Sequence, residues 1–280
     1  MNKYVLPSDL SETVAHALAE DIGAGDLTAA LVPAQASAQA YIIAREPGVL
    51  CGTAWAGEAF RQVAPRIRID WRFHDGDFVK AGDPLCTLEG PSRGILTAER
   101  TALNFLQALS GTASRARRYA EAVQGLHATV IDTRKTLPGL RSAQKYAVAV
   151  GGCGNHRMGL YDFILIKENH IAAAGGVTAA LTAARQQRAG VPIEIEVETI
   201  VQLKAALGAG AERILLDNFD LDGLREAVRM TAGRARLEAS GNVAFEGLRE
   251  LAETGVDYIS VGALTKHVHA LDLSLRFIKS

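Results

Sequence analysis

The sequence predicts an α/β protein of two domains, an N-terminal α+β domain followed by an incomplete parallel α/β barrel of about six strands. Three observations carry that expectation. From residue 126 onward apolar runs recur, each closing on polar residues and a helical stretch. Their ends lie 29 residues apart from Lys167 to Glu196, then 21 to Asp217, 23 to Ser240 and 21 to Val261, about one strand plus one helix each time. A full eight-stranded barrel takes roughly 250 residues and only about 140 are available, so six strands fit.

Taken in order, "SDLSETVAHALAEDIGAGDLT" reads as a helix, opened by a capping box at Ser8, Asp9 or Ser11 and closed at Gly23 and Gly25. "AQAYIIARE" is a strand. In "RIRIDWRFHDG" Ile67, Ile69, Trp71 and Phe73 alternate with Arg68, Asp70 and Arg72, the period of a half-buried antiparallel strand. Two strand pieces follow in "DFVKAGDPLCTLEG". Residues 95–120 predict a helix with a break at Gly111; it is apolar nearly all round and should be buried on nearly all sides, for which a subunit interface is one arrangement. The barrel strands are "ATVIDTRK", "DFILIKENH", "PIEIEVET", "RILLDNF", "RLEASGN" and "DYISVGALT", read as apolar runs covered on both faces. The tail "ALDLSLRFIKS" alternates again and is expected to return to the first domain. The expected division is 1–112 with 270–280, and 113–269.

The 280 residues carry 30 Lys+Arg against 31 Asp+Glu, a net charge of −1, so no basic excess recommends nucleic acid or an anionic membrane. No window approaches the apolar length of a membrane span, and "MNKYVLPSDL" lacks the apolar core of a signal peptide. Cys51, Cys86 and Cys153 are far apart, which argues for a reducing, cytoplasmic setting and against a disulfide or zinc framework.

Ligands of parallel α/β proteins bind at the carboxyl ends of the strands. There the sequence places Thr133, Arg134 and Lys135, then His156 and Arg157 in "GGCGNHRMG", then Lys167, Glu196, Asp217, Ser240-Gly241-Asn242 and Val261-Gly262-Ala263. Two cations about 4 Å apart repel by roughly 4 kcal/mol at an effective dielectric of 20, so several at one mouth need an anion among them. Glu196 and Asp217 suit a hard cation such as Mg²⁺ or sugar hydroxyls, although Glu194 and Glu198 share the parity of Glu196 and the pattern leaves the choice open. "EASGN" and "SVGALT" are small turns expected to open helices and to present backbone N–H groups to a phosphate. His170 stands near Lys167 as a supporting residue, and Cys153 reads as a space-filler. No nucleophile motif is present.

These motifs also resemble a known family. "DTRKTLPGLR", "GGCGNHRMGLYDFILIKENHI", "EIEVET", "ILLDNF", "EASGN" and "VDYISVGALTKH", with "EDIGAGDLT" and "AERTALNFLQALSGTAS" upstream, are similar to quinolinate phosphoribosyltransferase, also called nicotinate-nucleotide pyrophosphorylase (carboxylating). The resemblance covers nearly the whole chain. It implies an N-terminal open-faced sandwich rejoined by the C-terminal strand, beside an open α/β barrel. It implies transfer from phosphoribosyl pyrophosphate to quinolinate with Mg²⁺, giving nicotinate mononucleotide, pyrophosphate and CO₂ for NAD biosynthesis. It implies a homodimer, with hexamers as a further assembly, in which Arg100 reaches the neighbouring site. Arg100, Arg134, His156 and Arg157 would clamp the two carboxylates; Lys135, Lys167, Glu196 and Asp217 would serve the chemistry; residues 240–242 and 261–263 would hold the phosphate. Cys153, where many relatives carry Gly, is the one departure noticed. Two rivals stand beside it: a ModD-like paralogue with another acceptor, and a biotinyl or lipoyl carrier module suggested by "HDGDFVKAGDPLCTLEG", which lacks the tight turn around a modified lysine.

Overall fold

The computed structural model describes residues 4–187, 190–241 and 243–278. Packing divides them into two compact units, one of residues up to 117 with 136–152 and 264 onward, the other of 118–135 and 153–263.

In the first unit, α1 (Leu10–Ile22) ends at Gly23 as expected, but the capping box is absent. The Asp9 carboxylate instead accepts from the Ser142 hydroxyl at 2.7 Å. Strands β1 (Ser37–Ala44), β2 (Gly48–Val49), β3 (Arg68–Trp71), β4 (Phe78–Val79) and β5 (Pro84–Pro91) surround α2 (Thr53–Val63) in the chain. β3, shorter than its alternating run, pairs antiparallel with β5, and β5 with β1. The tail forms β12 (Leu273–Phe277), antiparallel to β1 from Ala40 opposite Phe277 to Ala44 opposite Leu273. The sheet order is therefore β12-β1-β5-β3. The carrier-like segment supplies an interior strand of this sheet and is no separate module.

α3 (Ser92–Ala122) runs unbroken through Gly111. A Cβ at Gly111 would collide with the carbonyl of His269, so this glycine marks a close approach and not a helix end. The helix is buried by its own chain: Ala102, Leu103, Leu106 and Leu109 join Trp55, Phe60, Ile42 and Leu88 in one core. α4 (Arg141–Gly151) adds Ala143, Tyr146, Ala147 and Val150 to that core. This apolar face explains why 136–152 packs with the first unit, although it falls inside the expected 113–269 segment. The side chain of Gln144 ties the segment in by donating to the Thr265 carbonyl at 2.8 Å.

The second unit contains β6 (Thr129–Ile131), β7 (Ile164–Ile166), α5 (Glu168–Ala174), α6 (Val177–Gln187), β8 (Ile193–Val197), α7 (Ile200–Gly208), β9 (Arg213–Asp217), α8 (Leu221–Thr231), β10 (Arg236–Ser240), α9 (Leu248–Glu253), β11 (Tyr258–Ser260) and the start of α10 (Ala263–Lys266). The six strands are parallel in the order β6-β11-β10-β9-β8-β7, an incomplete barrel with consecutive strands β6 and β7 at its two edges. Thr199 and Asp220 cap α7 and α8 through Gln202 and Gly223, as N-cap oxygens do.

The strands differ from the expected runs covered by apolar groups on both faces. Ile195, Val197, Ile214, Leu216, Leu237 and Ile259 are buried at alternate positions, whereas Glu194, Arg213 and Glu238 occupy the other parity. One face is apolar and the inner face carries charge.

Candidate active site

β6 finishes at Ile131, and the next residue, Asp132, is completely buried. Its carboxylate accepts the His156 N–H at 2.9 Å and the Asn155 side-chain amide at 2.7 Å. Gly154 forms a parallel bridge to Ile131, and its carbonyl accepts the Asp132 N–H at 3.1 Å. The Gly-rich loop is thus stitched along the open edge of β6. This brings His156 and Arg157 to the mouth occupied by Thr133, Arg134 and Lys135. The sequence reading passed over Asp132; its only signal was a lone acid between an apolar run and two cations.

These five residues line one cleft of about 250 Å³ together with Lys167, Glu196 and Ser240. Leu165, Leu215, Glu238 and Ser260 complete its wall and had not been singled out. Lys167 Nζ lies 3.1 Å from Glu196 Oε2. The Lys167 N–H donates to His170 Nδ1 at 2.9 Å, so His170 fixes the backbone from which Lys167 projects. Burial, and then the nearby Arg134 charge, pull Arg157 below the usual guanidinium value. Burial and the Glu196 charge push Asp217 up, while Lys167 and Lys135 pull it down, so Asp217 shares the field of all three. One flank is positive and the other acidic.

The two glutamates of β8 and Glu198 just beyond it separate by depth. Glu194 is fully buried, Glu196 stands at the cleft with its side chain 14% exposed, and Glu198 is exposed. Glu196 and Asp217 come from neighbouring strands, and each would gain from a cation between them. The donor set fits Mg²⁺.

His156 lines the cleft and is also held by the protein at both ring nitrogens. Its Nδ1 accepts the Arg157 N–H at 2.6 Å, and its Nε2 lies 2.9 Å from Glu194 Oε2. Both nitrogens are engaged with protein, and the ring steers Arg157.

On the later loops, the would-be Cβ of Gly262 meets Lys135 Cδ at 3.0 Å and Thr133 Oγ1 at 3.5 Å, so the turn lies directly against the cation loop. The Val261 N–H is committed to the Ile131 carbonyl at 2.9 Å. That leaves Gly262 and Ala263, at the start of α10, to offer amides. Gly241, with φ +106°, has no room for a Cβ because Asn218 packs against it. The Ser240 turn does not open a helix: α9 begins only at Leu248. Asn242 lies outside the described residues. Arg100 is exposed on α3 in the first unit, not among the cleft residues. Cys153 is buried and its thiol is pushed up to about 12 by burial and the Asp132 charge, as suits a space-filler.

A larger cavity, about 510 Å³, lies in the first unit. Its ionisable walls are His16, Glu20 and Asp21, with no lysine or arginine among the described residues, which is the wrong sign for a polyanion.

Comparison with known proteins gives the family and the fold. The quinolinate phosphoribosyl transferase N-terminal domain model matches residues 26–110, and the C-terminal domain model matches residues 112–276. The chain belongs to the quinolinate phosphoribosyl transferase family. Within that family, a probable nicotinate-nucleotide pyrophosphorylase of Bacillus subtilis is 41% identical over 95% of this chain and 92% of its own length. A chloroplastic nicotinate-nucleotide pyrophosphorylase of Oryza sativa subsp. japonica is 40% identical over 96% of this chain and 77% of its own. The solved nicotinate-nucleotide pyrophosphorylase of Francisella tularensis superposes with a TM-score of 0.95 at 43% identity, covering 99% of both chains.

Proposed function

We infer that the cleft binds quinolinate at Arg134 and Arg157 and phosphoribosyl pyrophosphate between Lys135, Lys167, Glu196 and Asp217. The chain transfers the phosphoribosyl group from phosphoribosyl pyrophosphate to quinolinate with decarboxylation, a step of NAD biosynthesis. The observation that carries the assignment of roles is the convergence of four cations and Glu196 in one cleft, with Asp217 within the field of Lys135, Lys167 and Glu196.

Quinolinate is a dianion, and guanidinium forks match carboxylates bidentately. Arg134 and Arg157 already repel one another, so a dianion between them relieves that cost as it binds. Departure of pyrophosphate leaves positive charge on the ribose, which Glu196 and Asp217 offset, while Lys135 and Lys167 stabilise the leaving group. When bound at Glu196 and Asp217, Mg²⁺ would add charge neutralisation on the pyrophosphate. Lys167 is held ready by Glu196 at 3.1 Å and exchanges that partner for phosphate oxygens. The pyridine nitrogen attacks the ribose carbon, and the resulting pyridinium draws electrons from the adjacent ring carbon. The C–C bond to the 2-carboxylate then breaks, CO₂ leaves, and the electron pair left on the ring carbon takes up a proton from water, with no protein nucleophile needed.

The phosphate of the sugar is assigned to Ser240, Gly241 and Asn242 with Gly262 and Ala263. Arg100, exposed on its helix, is assigned to the site of a second subunit in a homodimer. The three cysteines are unbridged and buried, in keeping with a cytoplasmic setting. No described helix is long and apolar enough to cross a membrane.

Incubation with quinolinate, phosphoribosyl pyrophosphate and Mg²⁺ should release CO₂ and nicotinate mononucleotide. Turnover of nicotinate in a parallel mixture would deny the second carboxylate its role, and an unchanged rate after chelation would remove the metal.

A further inference from the structure

Asp132 stands where the two arms of the cleft's positive flank meet. It follows directly on β6, an edge strand of the parallel sheet, and Thr133, Arg134 and Lys135 continue from it. The other arm is the loop of His156 and Arg157, which comes up against β6 at an isolated bridge between Ile131 and Gly154. There the Gly154 N–H donates to the Val130 carbonyl at 2.8 Å, and the Asp132 N–H donates to the Gly154 carbonyl at 3.1 Å. A Cβ at Gly154 would stand 3.0 Å from Ile131 Cγ2, so the glycine lets the loop approach this closely.

One bridge fixes Gly154 but not the residues beyond it. The Asp132 side chain extends the registration: one oxygen accepts the Asn155 side-chain amide at 2.7 Å, and the other accepts the His156 N–H at 2.9 Å. The second bond holds the residue immediately before Arg157. The far end of Arg157 is held as well, Nη1 donating to the Phe163 carbonyl at 3.3 Å. On the first arm, Thr133 Oγ1 accepts the Lys135 N–H at 3.1 Å, which closes the turn on which Arg134 stands. The Arg134 charge is felt at Arg157, so the two guanidinium groups share one region.

A carboxylate suits this junction better than an amide. Both of its oxygens accept and both meet donors here, whereas an amide would turn its own NH₂ group on that of Asn155. Bonds to an ionised acceptor are also the stronger ones, and a carboxylate completely out of water demands them.

We propose that Asp132 is a positioning residue that sets acceptor specificity: by tying the loop of Arg157 to the strand end that carries Arg134, its carboxylate fixes the spacing of the two guanidinium groups to a pair of carboxylates on adjacent ring atoms. This holds only with both arginines on quinolinate, as assigned above. A looser junction would let the two groups spread and accept carboxylates set farther apart, at the expense of the adjacent pair.

The test compares wild type with Asp132→Asn, Asn155→Ala and the exchange of Asp132→Asn with Asn155→Asp. Each is assayed for KM and kcat and for competition by ortho- and meta-benzenedicarboxylate, which lack the attacking nitrogen and differ only in carboxylate spacing. Wild type should prefer the ortho isomer. In Asp132→Asn the KM for quinolinate should rise about tenfold, as expected when a hydrogen bond to a buried charged group is broken. The kcat and the KM for phosphoribosyl pyrophosphate should hold, the pattern of lost uniform binding of one substrate. The ortho preference should shrink by about the same factor. Asn155→Ala removes one donor and should shift both readings the same way by less; it carries the test if Asp132→Asn fails to fold. The exchange again sets donor against acceptor and should recover the wild-type values. An unchanged quinolinate KM and isomer preference in Asp132→Asn would overturn the proposal. So would a rise in both KM values that leaves the isomer preference intact and that the exchange does not relieve. Arg157→Lys tells this failure from failure of the clamp. A raised quinolinate KM there, beside an indifferent Asp132→Asn, rejects the role of Asp132 alone; an unaltered KM rejects the clamp and that role with it.

Discussion

Replacing Glu238 by Gln should stabilise the protein at alkaline pH and do little in acid. The Glu238 carboxyl is pushed from 4.5 up to about 7, first by burial and then by the Glu194 charge, against the opposing pull of His156 and Arg213. Its Oε1 is buried with no hydrogen-bond partner among the described residues, a setting that costs an anion more than a neutral acid. With a folded value above the unfolded one, the native state holds the proton longer. Stability from this group is full below pH 4.5 and is lost as pH rises to about 7, a total of about 3 kcal/mol at 1.36 kcal/mol per pH unit. Gln imitates the protonated acid at every pH. Between about pH 5.5 and pH 8.5 the advantage of Glu238→Gln over wild type should therefore grow by about 2 kcal/mol, the part of the loss that falls above the lower pH. At roughly 2 °C per kcal/mol for a chain of this size, the gap in Tm widens by about 4 °C. Thermal unfolding followed by circular dichroism in matched buffers reads this directly. A gap of constant size across the range would show that Glu238 is ionised throughout, and the reasoning from burial would fail.

Three further outcomes are expected. Mixing Arg100→Ala with Lys135→Ala protein should restore part of the activity in hybrid dimers; none after verified subunit exchange would place Arg100 outside the site. Arg157→Lys should lose about tenfold or more in kcat/KM for quinolinate despite the retained charge, because a point charge cannot replace the fork; near wild-type kinetics would remove Arg157 from the acceptor site. Gly111→Ala gains helix propensity of about 1 kcal/mol but drives a methyl into the His269 carbonyl, so a net loss of about 1–3 kcal/mol is expected in denaturant melts. Equal or higher stability would mean that this contact relaxes freely.

The parts of the fold that the sequence made legible were those with a local signature. Strand ends at Arg134, Lys167, Glu196 and Ser240 follow from where an apolar run stops, and the tail strand follows from simple alternation. Gly111 misled because a glycine inside a helix has two local readings, and the deciding contact, His269, is far away in the chain. The place of 136–152 was hidden for the same reason: α4 looks like any barrel helix until its partners Trp55 and Leu109 are known. At the site, Glu194, Arg213 and Glu238 were visible as charges inside strands. Their bonds span 19, 25 and 38 residues and depend on strand order, which no short window contains. Asp132 escaped notice because an acid beside two cations reads as a local ion pair, whereas its real partners are Asn155 and His156.

The pairing of β12 with β1 bears on how the chain is made. Strand β1 waits for an edge partner that is synthesised only after the whole barrel. The barrel strands can associate while translation continues, since domains form as their residues become available. The first sheet keeps a raw edge until residues 273–277 emerge, and a nascent chain stalled in that interval would expose unpaired strand to its neighbours.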